Sequence, residues 1–271
     1  MQRLVIALAA LAFGAGTASA KMVEQRIPYE IDGKKFSGAL VYDDSVKGKR
    51  PAIFMEPDWA GVGTKAMAQA RAVAGKHYVV FVADVFGADY APKDVKEMQA
   101  AMNVVHGDIN LSRARGGKAY DVMMAETGKR GLIDRSKIAG IGFCFGGGIL
   151  LDLAREGRDF NALSVFHVTF PQSADPAGAA KIKGPVLVLH GADDPVTPRK
   201  AIAALEDELD AAKVKWQTVL FSGTVHSFTD VSATDPAGFR AQRYDPVVTQ
   251  RSYAMMRDFF AGIFAPAKGG A

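Results

Sequence analysis

Gly142-Phe143-Cys144-Phe145-Gly146 joins an apolar run of strand length, Ile138–Phe143, to a stretch of helical pattern, Cys144–Arg155. These five residues have the form G-x-S-x-G with cysteine in the serine position. The flanking glycines have a physical reason. A strand that turns at once into a helix leaves no room for side chains on either side of the central residue. That residue is forced into a strained backbone conformation, which lifts the Cys144 sulfur above the sheet edge. The new helix aims its N-terminus at the sulfur and favours thiolate over thiol. Gly147 and Gly148 let the helix pack close. The segment predicts a nucleophile mounted on a strand-to-helix turn.

Outward from this turn, strands and helices alternate. Val23–Ile31 and Phe36–Tyr42 flank the hairpin signal Asp32-Gly33, and Pro51–Met55 is a third strand. Thr64–Gly75 is an Ala-rich helix. Tyr78–Ala83 is an unbroken apolar run, as a strand buried on both faces requires. Lys93–Asn103 and Leu111–Thr127 are helical in pattern. Beyond the turn, Ala162–Phe166, Pro185–His190 and Lys215–Phe221 read as strands and Pro198–Ala211 as a helix. Asp245-Pro246 supplies an N-cap and a first-position proline for a last helix ending near Phe264. The pattern predicts one α/β domain, with a mainly parallel sheet and helices on both faces. Ligands of such sheets bind at the carboxyl ends of the strands. The residues that follow the strands are therefore the candidates: Glu56-Pro57-Asp58-Trp59, Asp84, Cys144, His167, Gly191–Asp194 and His226.

Composition excludes several classes. Of 271 residues, 49% are hydrophobic and 23% charged, enough apolar content to offset the ordering entropy of a packed fold. A single cysteine excludes an internal disulfide and any multi-cysteine metal or iron–sulfur site. Net charge is +4 with no dense basic run, so nucleic-acid binding has no support. Residues 1–20 read as a cleavable export signal: Arg3, the apolar run Leu4–Phe13, then Ala18-Ser19-Ala20 before Lys21. That run is shorter than the ~20 residues a bilayer span needs. The expectation is a periplasmic or secreted protein, free of the membrane after cleavage.

Downstream of Cys144, an acid and then a histidine each follow a strand. Gly191-Ala192-Asp193-Asp194-Pro195 follows Pro185–His190, and Gly223-Thr224-Val225-His226 follows Lys215–Phe221. Nucleophile, acid, histidine is the chain order of the α/β-hydrolase triad. His226 would exchange the thiol proton, and the acid would orient its ring. Asp194 is preferred, because its place in the short loop before Pro198 can turn it to the sheet edge; Asp193 would then cap the turn. Among the other histidines, His77 begins a strand at the wrong edge, His106 falls in an interhelical loop, and His190 packs at a strand end. His167 is a pocket candidate.

Together, Gly142–Gly147, Gly191–Pro198 and His226-Ser227-Phe228, with Asp58-Trp59-Ala60-Gly61-Val62, resemble the dienelactone hydrolase family of α/β hydrolases. The resemblance runs from about Val23 to Phe264. It implies a Cys144–His226–Asp194 triad and an oxyanion hole from the backbone amides of Phe145 and Trp59. It also implies that Asp58 stands where the family carries a thiol-activating glutamate, one methylene longer. Asp230 stands where carboxylate-binding relatives carry arginine, which makes dienelactone itself a poor substrate; Arg113 and Arg115 read as a solvated helix face. The expected activity is hydrolysis of a small ester or lactone without metal or cofactor. The alternative is an exported binding protein that keeps the fold with its triad out of reach. A thiol sensor is disfavoured for want of a second cysteine.

Overall fold

Asp32 and Gly33 take left-handed backbone angles, φ 48° and 79°, and close the two-residue hairpin between β1 (Met22–Ile31) and β2 (Lys34–Asp43). The computed structural model describes residues 21–170, 175–233 and 241–265; the expected export signal lies outside them. The remaining elements are β3 (Arg50–Glu56), α1 (Thr64–Ala74), β4 (Val79–Val82), α2 (Val95–His106), α3 (Ile109–Lys129), β5 (Ile133–Phe143), α4 (Phe145–Arg155), β6 (Ala162–Phe166), α5 (Pro176–Ala179), β7 (Val186–Gly191), α6 (Arg199–Ala211), β8 (Trp216–Phe221) and α7 (Pro246–Phe264). The strands form an eight-stranded sheet in the order β1-β2-β4-β3-β5-β6-β7-β8. β1 and β2 run antiparallel, and the pairs from β4 to β8 are parallel.

Successive strand residues face opposite sides of the sheet. Phe54 and Phe81 join Ala119, Tyr120 and Met123 of α3, Ile149 and Leu153 of α4, and Ile202 and Leu205 of α6. Ile53, Met55 and Val80 join Ala70 and Val73 of α1 and Tyr253, Met256 and Phe260 of α7 on the other side. With both faces covered, the central strands read as continuous apolar runs.

Caps set several helix starts. Asp245 accepts from the Val247 and Val248 amides, Asp108 from those of Asn110 and Leu111, and Asp94 from that of Glu97. The Asp94 cap leaves Lys93 outside α2, and the helix runs on to His106 instead of ending at Asn103. β5 begins five residues earlier than its apolar run, across a register shift opposite Arg50 and Ala52. The polar residues of Asp134–Lys137 hide this extension, because their place in the sheet depends on the partner strand.

Candidate active site

Cys144 lies between β5 and α4 at φ 52°, ψ −122°, a conformation L-residues rarely adopt. Its neighbours hold it there. Its amide donates to the Phe166 carbonyl (3.0 Å), and its carbonyl accepts from the Gly147 and Thr169 amides. A Cβ on Gly142 would stand 2.6 Å from the Gly147 Cα. One on Gly146 would overlap the Glu56 and Pro57 carbonyl oxygens at the end of β3. Both glycines are thus required by backbone approaching backbone. Cys144 is 8% exposed.

His226 and Asp194 converge on it. His226 Nε2 is 3.0 Å from Cys144 Sγ, and His226 Nδ1 is 2.7 Å from Asp194 Oδ2. The other Asp194 oxygen accepts from the Val196 and Thr197 amides, which fixes the carboxylate. Asp193 is exposed and accepts no part of this chain of bonds. The loop carrying His226 is pinned by hydrogen bonds between His226 and the backbone of Ala241 and Arg243. Burial disfavours the imidazolium, yet the Cys144 sulfur and the Asp194 carboxylate outweigh it and raise the His226 pKa.

His167, at the end of β6 with φ 36°, stands edge-on to His226, ring centroids 5.1 Å apart. Its Nε2 lies 2.8 Å from the Thr229 hydroxyl oxygen, which also accepts from Gln69. Its Nδ1 has no hydrogen-bond partner among the described residues. Burial, helped by His226, His190 and Lys65, holds its pKa well below the usual histidine value, so the ring is neutral. His190 is fully buried with Nε2 on the Thr197 carbonyl (2.8 Å). His106 corrects the expectation of a loop residue. It ends α2, and its ring lies 4.3 Å from that of Phe145, where burial lowers its pKa to about 4. No local signal marks that contact, because α2 and α4 are brought together only by the sheet.

Asp58 and Asp230 share a cation that the sequence does not advertise. Lys65, in the first turn of α1, bridges both carboxylates and is 2.7 Å from Asp230 Oδ2. Asp58 also accepts from the Ala60 amide (2.9 Å), and Asp230 from the Ser232 amide and hydroxyl. Asp58 therefore spends its carboxylate on Lys65 and its own turn. Asp230 is no isolated acid; the trio carries one net negative charge. Trp59 is partly buried, its carbonyl accepting from the Tyr90 hydroxyl (2.7 Å). Arg115 lies over the Phe36 ring and donates to the Val85 carbonyl, which is a structural use rather than a solvated face. Arg113 stays on the outer side, near Glu156 and Asp175.

Glu56, the last residue of β3, is fully buried and neither carboxyl oxygen has a partner. Burial, and then the Asp84 charge, push its pKa well above 4.5. The folded protein thus keeps a proton that the unfolded chain releases above pH ~4.5, and stability falls as pH rises towards the folded pKa. The slope is at most ~1.4 kcal/mol per pH unit for one group. Glu56→Gln is expected to remove this dependence. Its midpoint in urea should gain on the wild type steadily from pH 5 to pH 8, whereas parallel profiles would show that Glu56 ionises in the fold.

The profile of the Dienelactone hydrolase family matches residues 36–264. The chain belongs to that family. It is accordingly a hydrolase acting on ester bonds. Among solved structures, m3DLH is 34% identical with TM-score 0.83, over 90% of this chain and 99% of its own. A dienelactone hydrolase-like promiscuous phosphotriesterase from metagenomic libraries is 31% identical with TM-score 0.83, over 91% of this chain and all of its own. Hydrolase pyvD of Aspergillus violaceofuscus is 24% identical over 202 residues, 74% of this chain and 73% of its own length. The mainly parallel sheet expected from the sequence is present, in a fold that both solved structures match.

Proposed function

We propose that this family member hydrolyses small, uncharged carboxylic esters or lactones, with Cys144 as nucleophile, His226 as proton carrier and Asp194 as its orienting acid. The observation that carries the reading is the unbroken buried chain from sulfur to carboxylate, 3.0 Å and 2.7 Å. A non-catalytic binding protein would not need those distances. The sulfur attacks the carbonyl carbon, and the electron pair of the carbonyl moves to oxygen. The Phe145 and Trp59 amides receive that oxyanion; Phe145 is the first residue of α4, whose N–H has no intrahelical acceptor. The intermediate collapses, the C–O bond breaks, and His226 gives its proton to the alkoxide. Water then loses a proton to His226 and attacks the thioester, releasing carboxylate and restoring the thiol pair. No step calls on a metal or cofactor. The same geometry could be presented with a phosphoryl ester, which the likeness to the phosphotriesterase favours as a second substrate class.

The Asp58–Lys65–Asp230 trio governs charge. Lys65 acts electrostatically on His167, so the trio borders the site, and its net charge is negative. Export through residues 1–20 belongs to the same proposal and places the reaction outside the cytoplasm. A slow aryl ester followed by intact-protein and peptide mass spectrometry tests the chemistry. The expected result is one acyl group per chain, on Cys144, formed several-fold faster from a neutral ester than from an anionic one of equal leaving group. Label elsewhere, or turnover with Cys144 never labelled in a rapid-quench series, would refute the reading.

A further inference from the structure

We propose that Cys144, His167 and His226 form a binding site for a borderline-soft divalent cation, Zn²⁺ by chemical class, and that its occupancy reversibly switches the enzyme off. Metal binding stands on the side chains alone, whereas the switch rests on the hydrolytic reading above.

One sulfur and one nitrogen from each ring lie within 4.8 Å of one another. Thiolate and neutral imidazole are the donors that select Zn²⁺ over the hard cations. With metal–sulfur near 2.3 Å and metal–nitrogen near 2.0–2.1 Å, tetrahedral neighbours stand roughly 3.3–3.6 Å apart. The Cys144–His226 separation of 3.0 Å is already close to that. His167 would be the third protein ligand, leaving the fourth position to water. The surroundings are those of a metal site. Asp194 holds Nδ1 of His226, leaving Nε2 as donor, the carboxylate–histidine arrangement that orients metal ligands. Thr229 steadies the His167 ring, whose Nδ1 is buried without a partner.

On binding, the single proton shared by the thiol and His226 leaves to solvent, and the sulfur and Nε2 each donate a lone pair to the ion. Nucleophile and proton carrier are then both occupied. Chelation of the ion restores them.

The reduced full-length protein, freed of metal with a chelator and desalted, is titrated with Co²⁺ and Zn²⁺. One Co²⁺ per chain should give a sulfur-to-cobalt charge-transfer band and the intense visible bands of a tetrahedral site, and Zn²⁺ should displace them. Zn²⁺ should inhibit ester hydrolysis with the same affinity, reversed by chelator. His167→Asn should weaken Zn²⁺ at least about tenfold, since even outer ligands of metal sites cost that much. Cys144→Ala should lose the charge-transfer band altogether. Where His167→Asn fails to fold, Thr229→Val, which frees the ring, should weaken Zn²⁺ while keeping the band. Wild type with no band, or Zn²⁺ bound equally well by Cys144→Ala, would overturn the proposal. A banded protein inactive on every ester would refute the hydrolytic reading and the switch that rests on it, leaving the metal site standing; an active protein without the band would refute the metal site alone.

Discussion

Cys144→Ala is expected to lower kcat for ester hydrolysis at least about 10⁴-fold, with thermal stability changed little. Loss of the nucleophile from a triad removes the covalent route, leaving only binding and oxyanion contacts. The residue is 8% exposed at a turn held by backbone bonds from Phe166, Gly147 and Thr169, so a smaller side chain leaves the fold intact. The three groups act as one unit, and their losses should not add. Asp194→Asn alone should cost about 10³–10⁴-fold by releasing the His226 ring. Added to Cys144→Ala it should cost almost nothing further. Initial rates from matched preparations decide the matter: full activity in Cys144→Ala, or losses that multiply in the double variant, would place the chemistry elsewhere.

Gly146→Ala is expected to be severely destabilising. The added methyl would overlap the carbonyl oxygens of Glu56, the last residue of β3, and of Pro57 beside it, and come within 2.6 Å of the Glu56 carbonyl carbon. Glu56 is held by its pairing with Gly142 of β5 and by a strand flanked by β4 and β5, so this backbone has little room to retreat. The elbow must move instead, shifting Cys144 from His226. A loss of about 3 kcal/mol or more is expected, at the upper end for overpacking, with a fall in kcat in whatever folds. Gly262→Ala is the control, for nothing lies within 4 Å of its added Cβ and alanine favours a helix by up to ~1 kcal/mol. Equal urea midpoints for Gly146→Ala and wild type would mean that the turn is loosely packed.

Much of the architecture was legible from local order. Apolar runs of strand length, the Asp32-Gly33 turn and the Asp245-Pro246 cap depend on nearby residues, and most elements form close to their expected bounds, with the start of β5 and the ends of α2 the exceptions. The elbow was legible for the same reason: its glycines answer a local steric demand. α5 was not, since four residues show no helical period and Asp175 caps them in a way only the fold reveals.

The sequence by itself determined the parallel α/β sheet, the strand-to-helix turn at Cys144 and the chain order in which Asp194 and His226 follow it. Tertiary structure decided which groups meet. Lys65 stands far along the chain from Asp230, and only the packing of α1 beside the His226 loop sets its ammonium between two carboxylates. His106 reaches Phe145 because α2 crosses to α4, and His167 reaches both Cys144 and His226 because β6 lies next to β5. Glu56 lost its water by ending a strand beneath α3 and α4, a burial that no spacing rule encodes. Periodicity is a property of neighbours along the chain; the electrostatics of a site is a property of neighbours in space, and the fold alone makes those neighbours.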